Sequence, residues 1–451
     1  FGGKVNCSHL IAYKGTDDDF DTDFGYSGNV QFALSLRDPQ LFDPTYAAAS
    51  GASTSEGFES DNDANSSTLT PKTKAIFSNV TIIGPYRGSL TNAVGAGGTG
   101  AGFKRAARIR RNSELKIFNS ILMDFGTGLH IDGVTTEANA TNGLLKFKNN
   151  ILSGYFSSKG QVGEVNSGST FDIKTFIKNN NNDTVPLTAG ILINPYALDD
   201  NNSDFRPGTL ASSGASFTDP AFSGLVLSSY INKVEYRGAF APAPSPMWTS
   251  GWTEYNPQTK AYGTANVNVD GITVGTVVGS DVHITTNTTF TSNNIYLLKG
   301  AVYVDSLVTL TIEPGTVIRG DNIVANSSLI IRRGAKLLAE GTPCNPIVFT
   351  SNKVAGSRLP GDWGGIILLG RGSVNQTGGV SNIEGLTIAN QTQFGGGSTP
   401  NDADTSGILK YVRIEYAGYA YQPDNELNSL TMAGVGNGTT IDHIQVTYAK
   451  D

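Results

Sequence analysis

Short runs of alternating apolar residues recur along the chain, with glycine or asparagine between them. Aligning one central apolar residue from each of four runs gives Ile312, Ile331, Phe349 and Ile367, which lie 19, 18 and 18 residues apart. This spacing is too short for a βαβ unit, which needs about 30 residues. It predicts a solenoid in which each coil stacks its strands in parallel on those of the next coil. The fold class that we predict is therefore an all-β, right-handed parallel β-helix.

The same alternation predicts strands in other parts of the chain, at residues 9–13, 29–36, 76–84, 115–123, 144–154, 409–418 and 440–451. In three of these, an asparagine precedes the apolar pair: Asn79, Asn119 and Asn150. Such residues can stack at one corner and satisfy backbone groups of neighbouring coils, although three unrelated turn residues would give the same pattern. Long polar loop insertions are predicted at residues 44–74, 88–104, 157–188, 197–220 and 371–407.

The clearest break in the pattern is a segment rich in proline and tryptophan. Prolines 242, 244 and 246 cannot lie in the interior of a sheet, and two tryptophans follow them. We therefore predict a β-helix half over residues 1–238, a terminal or linker segment over 239–265, and a second β-helix half over 266–451.

The composition is that of a turn-rich β protein, because 54 of the 451 residues are glycine and only 16% are charged. The net charge of −7 argues against nucleic acid as the main partner. One basic cluster, at residues 104–111, alternates in a way that predicts the solvated face of a strand. No run of 18 apolar residues occurs, so the sequence predicts no transmembrane segment.

Several separate stretches together carry a family resemblance: TLTIEPGTVIRG, GDWGGIILLGRG, LKYVRIEYAGYA and DDDFDTDFGYSGNVQFALSLRD. They resemble a family of secreted Bacteroidota surface proteins whose β-helix domains are exported by type IX secretion or carried as lipoproteins. The resemblance implies an extracellular location at the bacterial cell surface and implies no particular reaction. In that family, the part similar to residues 266–451 comes first, so Asp451 and Phe1 are expected to be neighbours. A rotated numbering, one unit of a tandem array, a cut chain and a circular permutation would each explain this order.

An acidic cluster is the main candidate for a metal site. Asp17, Asp19, Asp21 and Asp23 precede a glycine, and a second group follows at Glu59, Asp61 and Asp63. Calcium takes six to eight oxygen ligands, mostly carboxylates and carbonyls, and alternate aspartates can direct several oxygens towards one ion. The spacing is not that of an EF-hand. A bound calcium ion and a solvated acidic loop both fit this pattern.

Other candidates are weaker. Trp248, Trp252 and Trp363 could stack on sugars, although packing against the core is the ordinary role of such residues. Thr184 and Ser306 lie in Asp-Thr-Val and Asp-Ser-Leu motifs that resemble the O-glycosylation motif of Bacteroidota.

The function that we expect is that of a non-catalytic extracellular surface protein: a structural stalk, a filament subunit that associates end to end, or an adhesin that contacts cell-surface components. The alternative is a carbohydrate-active protein, either a glycan-binding module or a polysaccharide lyase or hydrolase. An enzyme would need acidic and aromatic side chains converging on one cleft.

Overall fold

The computed structural model forms two compact units. The first unit is Cys7–Trp248, and the second unit combines Phe1–Asn6 with Thr249–Asp451. The boundary at Trp248 falls within the proline- and tryptophan-rich segment. The structure describes residues 1–41, 55–87, 103–155, 161–197, 202–224, 230–262, 273–274, 282–324, 326–383, 386, 391–422 and 425–451.

The second unit is built from coils of three short strands. Its strands are β16 (Thr273–Val274), β17 (Val282–Ile284), β18 (Thr288–Phe290), β19 (Ile295–Leu298), β20 (Ala301–Val304), β21 (Thr309–Ile312), β22 (Val317–Gly320), β23 (Ser328–Ile331), β24 (Lys336–Glu340), β25 (Ile347–Ser351), β26 (Gly365–Leu369), β27 (Ser381–Asn382), β28 (Gln393–Phe394), β29 (Gly407–Glu415), β30 (Ala420–Gln422), β31 (Asn425–Glu426), β32 (Leu430–Ala433) and β33 (Thr440–Thr447). Strands β17, β20, β23, β26 and β32 pair in parallel in that order. A second ladder runs β18, β21, β24, β29 and β33, and a third runs β16, β19, β22, β25 and β29. The pairs β27–β28 and β30–β31 are antiparallel.

The predicted coil length is wrong. Leu310 pairs with Leu337, 27 residues further along the chain. The separation along the chain between paired residues ranges from 20, for Val282 and Val302, to 70, for Leu337 and Gly407. The spacing of 18 or 19 residues arose because Ile312 and Ile331 lie on different sheets and are not stacked on each other.

Stacked aliphatic side chains fill the interior of the second unit. Val302, Leu329 and Ile366 occupy equivalent positions in three successive coils, and each is completely buried. Burial of one such side chain contributes about 1.5–3 kcal/mol to stability. Each coil therefore covers the apolar surface of the next one.

Both chain ends of the second unit lie beside the edge strand β32. The amino group of Phe1 donates to the Met432 carbonyl oxygen at 3.1 Å, and the Gly434 N–H donates to the Phe1 carbonyl oxygen at 2.8 Å. The Ser429 N–H donates to the Asp451 carbonyl oxygen at 2.8 Å. Phe1 and Asp451 are therefore bound to opposite ends of the same strand.

The first unit repeats the plan. Its strands are β1 (Asn6–Tyr13), β2 (Phe20–Thr22), β3 (Asn29–Leu36), β4 (Ser55–Ser60), β5 (Ile76–Ile83), β6 (Phe103–Ile109), β7 (Lys116–Phe118), β8 (Ile121–Met123), β9 (Thr127–Ile131), β10 (Lys146–Lys148), β11 (Ile151–Ser153), β12 (Gly163–Val165), β13 (Asp183–Val185), β14 (Leu192–Asn194) and β15 (Asp204–Pro207). One parallel ladder runs β1, β3 and β5, then β7 with β8, then β10 with β11, and ends at β13. The other ladder is β2, β4, β6, β9 and β12. Strands β14 and β15 form an antiparallel pair.

Four of the predicted polar insertions contain regular structure. Strands β27 and β28 lie inside the predicted insertion 371–407. Strand β4 lies inside the predicted insertion 44–74, and all six of its residues are buried. Strands β12 and β13 lie inside the predicted insertion 157–188 together with helix α2 (Ile173–Asn179). Strand β15 lies inside the insertion 197–220. These predictions failed because glycine, serine and charged residues occupy the strands themselves, and the charges are neutralised by partners on neighbouring strands.

Two helices and three single turns complete the described structure. Helix α1 spans Val134–Thr141, and 3₁₀ turns lie at Pro220–Phe222, Pro257–Thr259 and Thr377–Gly379. Helix α2 packs against β12, where Gly163 leaves room for the buried Ile173 and Ile177. The chain's own helix therefore covers this end of the stack. In the part of the chain that the structure describes, no helix is long and apolar enough to cross a membrane.

An amide ladder forms in the first unit. The Ser120 N–H donates to Asn150 Oδ1 at 2.9 Å, and the Asn150 N–H donates to Asn182 Oδ1 at 2.9 Å. Asn150 therefore stacks with Ser120 and Asn182 and not with Asn79 and Asn119, which the sequence predicted as its partners. Asn79 and Asn119 occupy a left-handed corner with φ of 56° and 55°, and they bind a chain segment that crosses the strands.

That segment, in which the structure describes residues 205–224 and 230–240, lies over the outer face of the strands. Asn119 exchanges two hydrogen bonds with Ser216, and Gln31 exchanges two with Asn232. Phe222 from this segment packs with Phe118 at a ring separation of 4.7 Å. The described residues are thus mostly short parallel strands around a stacked apolar core, and the predicted parallel β-helix is confirmed.

Candidate functional site

The candidate site lies on the sheet β2–β4–β6–β9–β12 of the first unit. Parallel pairing puts five residues in one row across the strands: Asp21, Glu59, Arg108, His130 and Glu164. Adjacent members are separated by the strand spacing of about 4.8 Å. Alternation along a strand turns every second side chain to the same side, so a second row runs beside the first, two residues further along each strand. Its members are Asp23, Asp61, Arg110, Asp132 and Asn166, and we call the two rows together the charged face.

Arginines of β6 and the turn after it link the carboxylates. Arg110 contacts Glu59 Oε2 through Nη2 at 2.5 Å and Asp61 Oδ1 through Nε at 2.7 Å. Arg108 reaches Asp132 Oδ2 at 2.7 Å and Glu59 Oε1 at 3.6 Å. Because these side chains are at most 20% exposed, the pairs are less screened than pairs at an open surface.

Two further arginines hold acidic groups next to the rows. Arg105 contacts Glu56 Oε1 and Glu164 Oε2, both at 2.9 Å, and so joins β4 to β12 across β6 and β9. The fully buried Arg37 contacts Asp19 Oδ2 at 2.9 Å. Ser35 also donates to that carboxylate.

The predicted metal-site residues fall into separate groups. Asp21, Glu59 and Asp61 lie on or beside the charged face, and Asp17 lies close enough to Asp19 to affect its pKa. Asp19 is tied to Arg37. Asp63 is held within its own turn, because its carboxylate accepts hydrogen bonds from the N–H groups of Asn65 and Ser67 and from the Ser67 hydroxyl. Asp23 Oδ1 accepts from the Phe24 N–H at 2.5 Å.

Burial makes this region unfavourable for negative charge. Loss of solvation raises the pKa of Asp19 to about 6 although Arg37 opposes the shift, and it raises the pKa of Asp23 to about 8 with help from Asp21. Burial also raises the pKa of Glu59, against the contact with Arg110. Glu59 Oε1 is buried without a hydrogen-bond partner among the described residues, and the exposed Asp21 is its neighbour in the row. Calcium accepts carboxylate oxygens as ligands, but within the described residues the oxygens of Asp21, Asp23 and Glu59 do not all lie within 4.8 Å of one another.

A hydrogen-bonded chain fixes His130. Asn166 Nδ2 donates to Asp132 Oδ1 at 2.7 Å, so the amide oxygen of Asn166 faces His130 Nε2 at 3.0 Å and accepts from it. Burial, assisted by Arg105, lowers the pKa of His130, so the ring is neutral near pH 7. The proton on Nε2 leaves Nδ1 with a lone pair.

Sequence reasoning missed the arginines as part of the site. It placed Arg105, Arg108 and Arg110 on the solvated face of a strand; the strand is present, but the side chains are half-buried in ion pairs. A usable signal was the regular offset of charges in GFESD and ARIRR, which places opposite charges on paired strands.

The three candidate tryptophans have different environments. Trp252 and Trp363 are each 1% exposed, and Trp363 donates to the Glu415 carbonyl oxygen at 2.8 Å. Trp248 is half-buried, donates to the Ala239 carbonyl oxygen, and stacks on Phe240 at 5.0 Å. Only Trp248 of the three presents ring surface to solvent. Thr184 and Ser306 are both exposed.

These coils define the class of the protein as a parallel β-helix. Its sequence matches the family described as pectate-lyase like beta helix domain over residues 1–191 and 282–451, and the chain belongs to that family. No curated protein matches the chain, and no solved structure matches it either.

Proposed function

We propose that this chain is an extracellular, non-catalytic β-helix protein of the bacterial cell surface that binds a carbohydrate chain along the charged face. The observation that carries the proposal is the pair of side-chain rows across five parallel strands. Membership of a pectate-lyase-like family supports carbohydrate as the ligand class.

The rows suit a linear ligand. Five strands at about 4.8 Å spacing extend over roughly 19 Å, and the polar groups repeat at each strand. Carboxylates accept hydrogen bonds from sugar hydroxyls, whereas guanidinium groups and amides donate to sugar oxygens. A glycan lying across the strands would therefore meet Asp21 and Glu164 at the two ends of the first row, with the partly exposed Arg108 between them.

A binding role is favoured over catalysis because arginines hold most of the carboxylates. Asp61 contacts both Arg110 and Arg111 at 2.7 Å, and such contacts favour the ionised form. An acid that must give up and regain a proton would be hindered by two fixed guanidinium groups.

Carbohydrate cleavage is the second candidate, and one observation favours it. Glu59 has a raised pKa and stands next to Asp21 on the adjacent strand. A protonated carboxyl group beside an ionised one is the arrangement that glycoside hydrolysis uses.

Glycan-array binding followed by titration calorimetry tests the proposal. Asp21→Asn and Glu164→Gln change the two ends of the row. Arg206→Gln is the matched control, because Arg206 pairs with Asp204 at 2.6 Å and with the Ser245 carbonyl oxygen at 3.2 Å, neither of which belongs to the charged face. We expect the first two variants to weaken binding about tenfold and the control to bind normally. Absence of glycan binding by the unaltered chain would refute the proposal. Release of reducing or unsaturated sugars that is lost in Glu59→Gln would instead establish the catalytic candidate.

Three further proposals go with this one. Calcium is the cation that we propose for the acidic region, whose candidate ligands are Asp17, Asp19, Asp21, Asp23, Glu59, Asp61 and Asp63. The exposed Thr184 and Ser306 are proposed as glycosylation sites. End-to-end association is proposed through β17, the end strand of its parallel ladder in the second unit.

A further inference from the structure

A corner of the second unit brings together an uncommon set of residues. Val304 pairs with Ile331, and Ile331 pairs with Leu368. Three positions further along each strand, Leu307, Gly334 and Arg371 therefore occupy equivalent places in successive coils. The Leu307 N–H donates to the Gly334 carbonyl oxygen at 3.1 Å, which confirms the first of these steps.

The glycine in the middle position opens a notch. Gly334 has φ of 82°, and a Cβ placed on it would lie only 2.7 Å from Nη2 of Arg371. The Arg371 guanidinium therefore rests directly on the backbone of the neighbouring coil. A side chain at residue 334 would displace it.

A second guanidinium lies at the same corner. Arg333 donates from Nη1 to the Gly395 carbonyl oxygen at 2.9 Å and from Nη2 to Gln393 Oε1 at 2.6 Å. The Gly395 N–H in turn donates to the Gly370 carbonyl oxygen, beside Arg371. Burial and then the charges of Arg371 and Arg332 lower the pKa of Arg333, so the guanidinium groups repel one another.

Within the described residues, no carboxylate lies within ion-pair distance of the Arg333 or Arg371 guanidinium. Asp305 is the partner of Arg332 at 2.7 Å. Asp404 accepts from the backbone N–H of Arg371 at 2.8 Å. In a chain with a net charge of −7, two neighbouring guanidinium groups without an acidic partner stand out.

We propose that Arg333 and Arg371 form an oxyanion site over Gly334 that takes a sulfate or phosphate group, free or as a monoester. Planar guanidinium forks bind such groups through paired N–H donors. The anion supplies the charge that the corner lacks. The site is separate from the charged face of the first unit and does not depend on the glycan proposed there.

The strained leucine beside the notch fits an esterified ligand. Leu307 has φ of 69° and is 88% exposed. Left-handed backbone is unfavourable for a leucine, and such strain is concentrated at binding sites. Its side chain offers apolar contact to the carbon skeleton that carries the ester.

Thermal melting at constant ionic strength, with sodium sulfate or phosphate replacing sodium chloride, tests the site. Sulfate stabilises folded proteins in general, so the unaltered chain, Arg371→Gln, Arg371→Lys and the control Arg206→Gln are compared at each concentration. We expect a saturable additional rise in melting temperature for the unaltered chain and Arg206→Gln. Arg371→Gln should require about tenfold more anion, and Arg371→Lys should lie between them. Identical sulfate and phosphate dependence in all four proteins would overturn the proposal.

Binding of a sulfated polysaccharide and its desulfated form then separates the two sources of the anion. Loss of binding on desulfation, and in Arg371→Gln, identifies an ester group. A response to inorganic anions alone identifies the free ion. Arg206→Gln should leave both results unchanged. Loss of polysaccharide binding in Asp21→Asn but not in Arg371→Gln would assign that binding to the charged face, so failure of this proposal is distinguishable from failure of the glycan proposal.

Discussion

The hydroxyl of Tyr262 donates a hydrogen bond to Oε1 of Glu415 at 2.5 Å within the second unit. Glu415 is 1% exposed, and its other oxygen accepts from Thr350 at 2.8 Å. The guanidinium groups of Arg358 and Arg413 lie 5.1 and 5.7 Å from the centre of the Tyr262 ring. One tyrosine thus connects the segment before residue 263 to the buried carboxylate of β29.

Replacing Tyr262 with phenylalanine should destabilise the protein by about 1–3 kcal/mol, because a buried carboxylate loses a donor. Urea unfolding measures the change, and Tyr230→Phe, at a site that is 43% exposed, serves as the control. Equal stability of the two variants would show that the Tyr262 hydroxyl contributes nothing.

Arg110→Gln should destabilise the first unit by about 2 kcal/mol, because Glu59 and Asp61 would each lose a partly buried cation. Adding Glu59→Gln should restore part of the loss, since one unpaired charge is then removed. A double-mutant cycle followed by urea unfolding measures the coupling. Additive losses would argue that the two side chains do not interact.

Stability should fall as the pH rises from about 5 to 8. Asp19 and Asp23 have pKa values of about 6 and about 8 in the folded chain, above the usual carboxyl value. The folded state then binds more protons than the unfolded state between these pH values, so each pH step upward favours unfolding. Melting temperatures measured across this range should show the trend, and Asp23→Asn should flatten its upper part. A melting temperature that rises steadily to pH 8 would contradict the raised pKa values of Asp19 and Asp23 in the folded chain.

Calcium should oppose that loss of stability. At pH 8, saturating calcium is expected to raise the melting temperature by a few degrees relative to a chelator, because an ion bound only by the folded state stabilises it. Asp21→Asn should reduce this rise, and Glu313→Gln in the second unit should not. An equal melting temperature in calcium and in chelator would refute the proposal that the protein binds calcium.

Joining Asp451 to Phe1 should preserve the fold. Both residues are bound to β32, near Ser429 at one end and Gly434 at the other, so a linker of about four residues in an extended conformation would complete the adjacent strand. A chain joined in this way and opened between Gly263 and Thr264 should melt at or above the original temperature. Opening the same chain between Lys410 and Tyr411, inside β29, should lower it strongly. Circular dichroism with heating compares the two, and equal melting would show that the junction is not part of the sheet.

The strands were predictable from the chain wherever apolar residues alternate, as in β29 and β33. They were not predictable in β4, because its sequence SEGFES places charged residues on a strand whose residues are all buried. The buried carboxylates of β4 are stabilised by arginines at paired positions on the neighbouring strand β6. Glu59 could be chosen from sequence as an acidic residue, whereas the pairing with Arg108 and Arg110 depends on which strands are neighbours. Coil length was misjudged for the same reason, since a spacing along the chain does not say which sheet a strand joins.

The coils of the second unit differ by as many as 50 residues in length while their strands keep parallel register. Insertions and deletions at the corners therefore leave the inner layers unchanged. Natural variation can enlarge, shrink or recharge one corner without cost to its neighbours, so relatives of this protein are expected to diverge in what they recognise long before they diverge in how they fold.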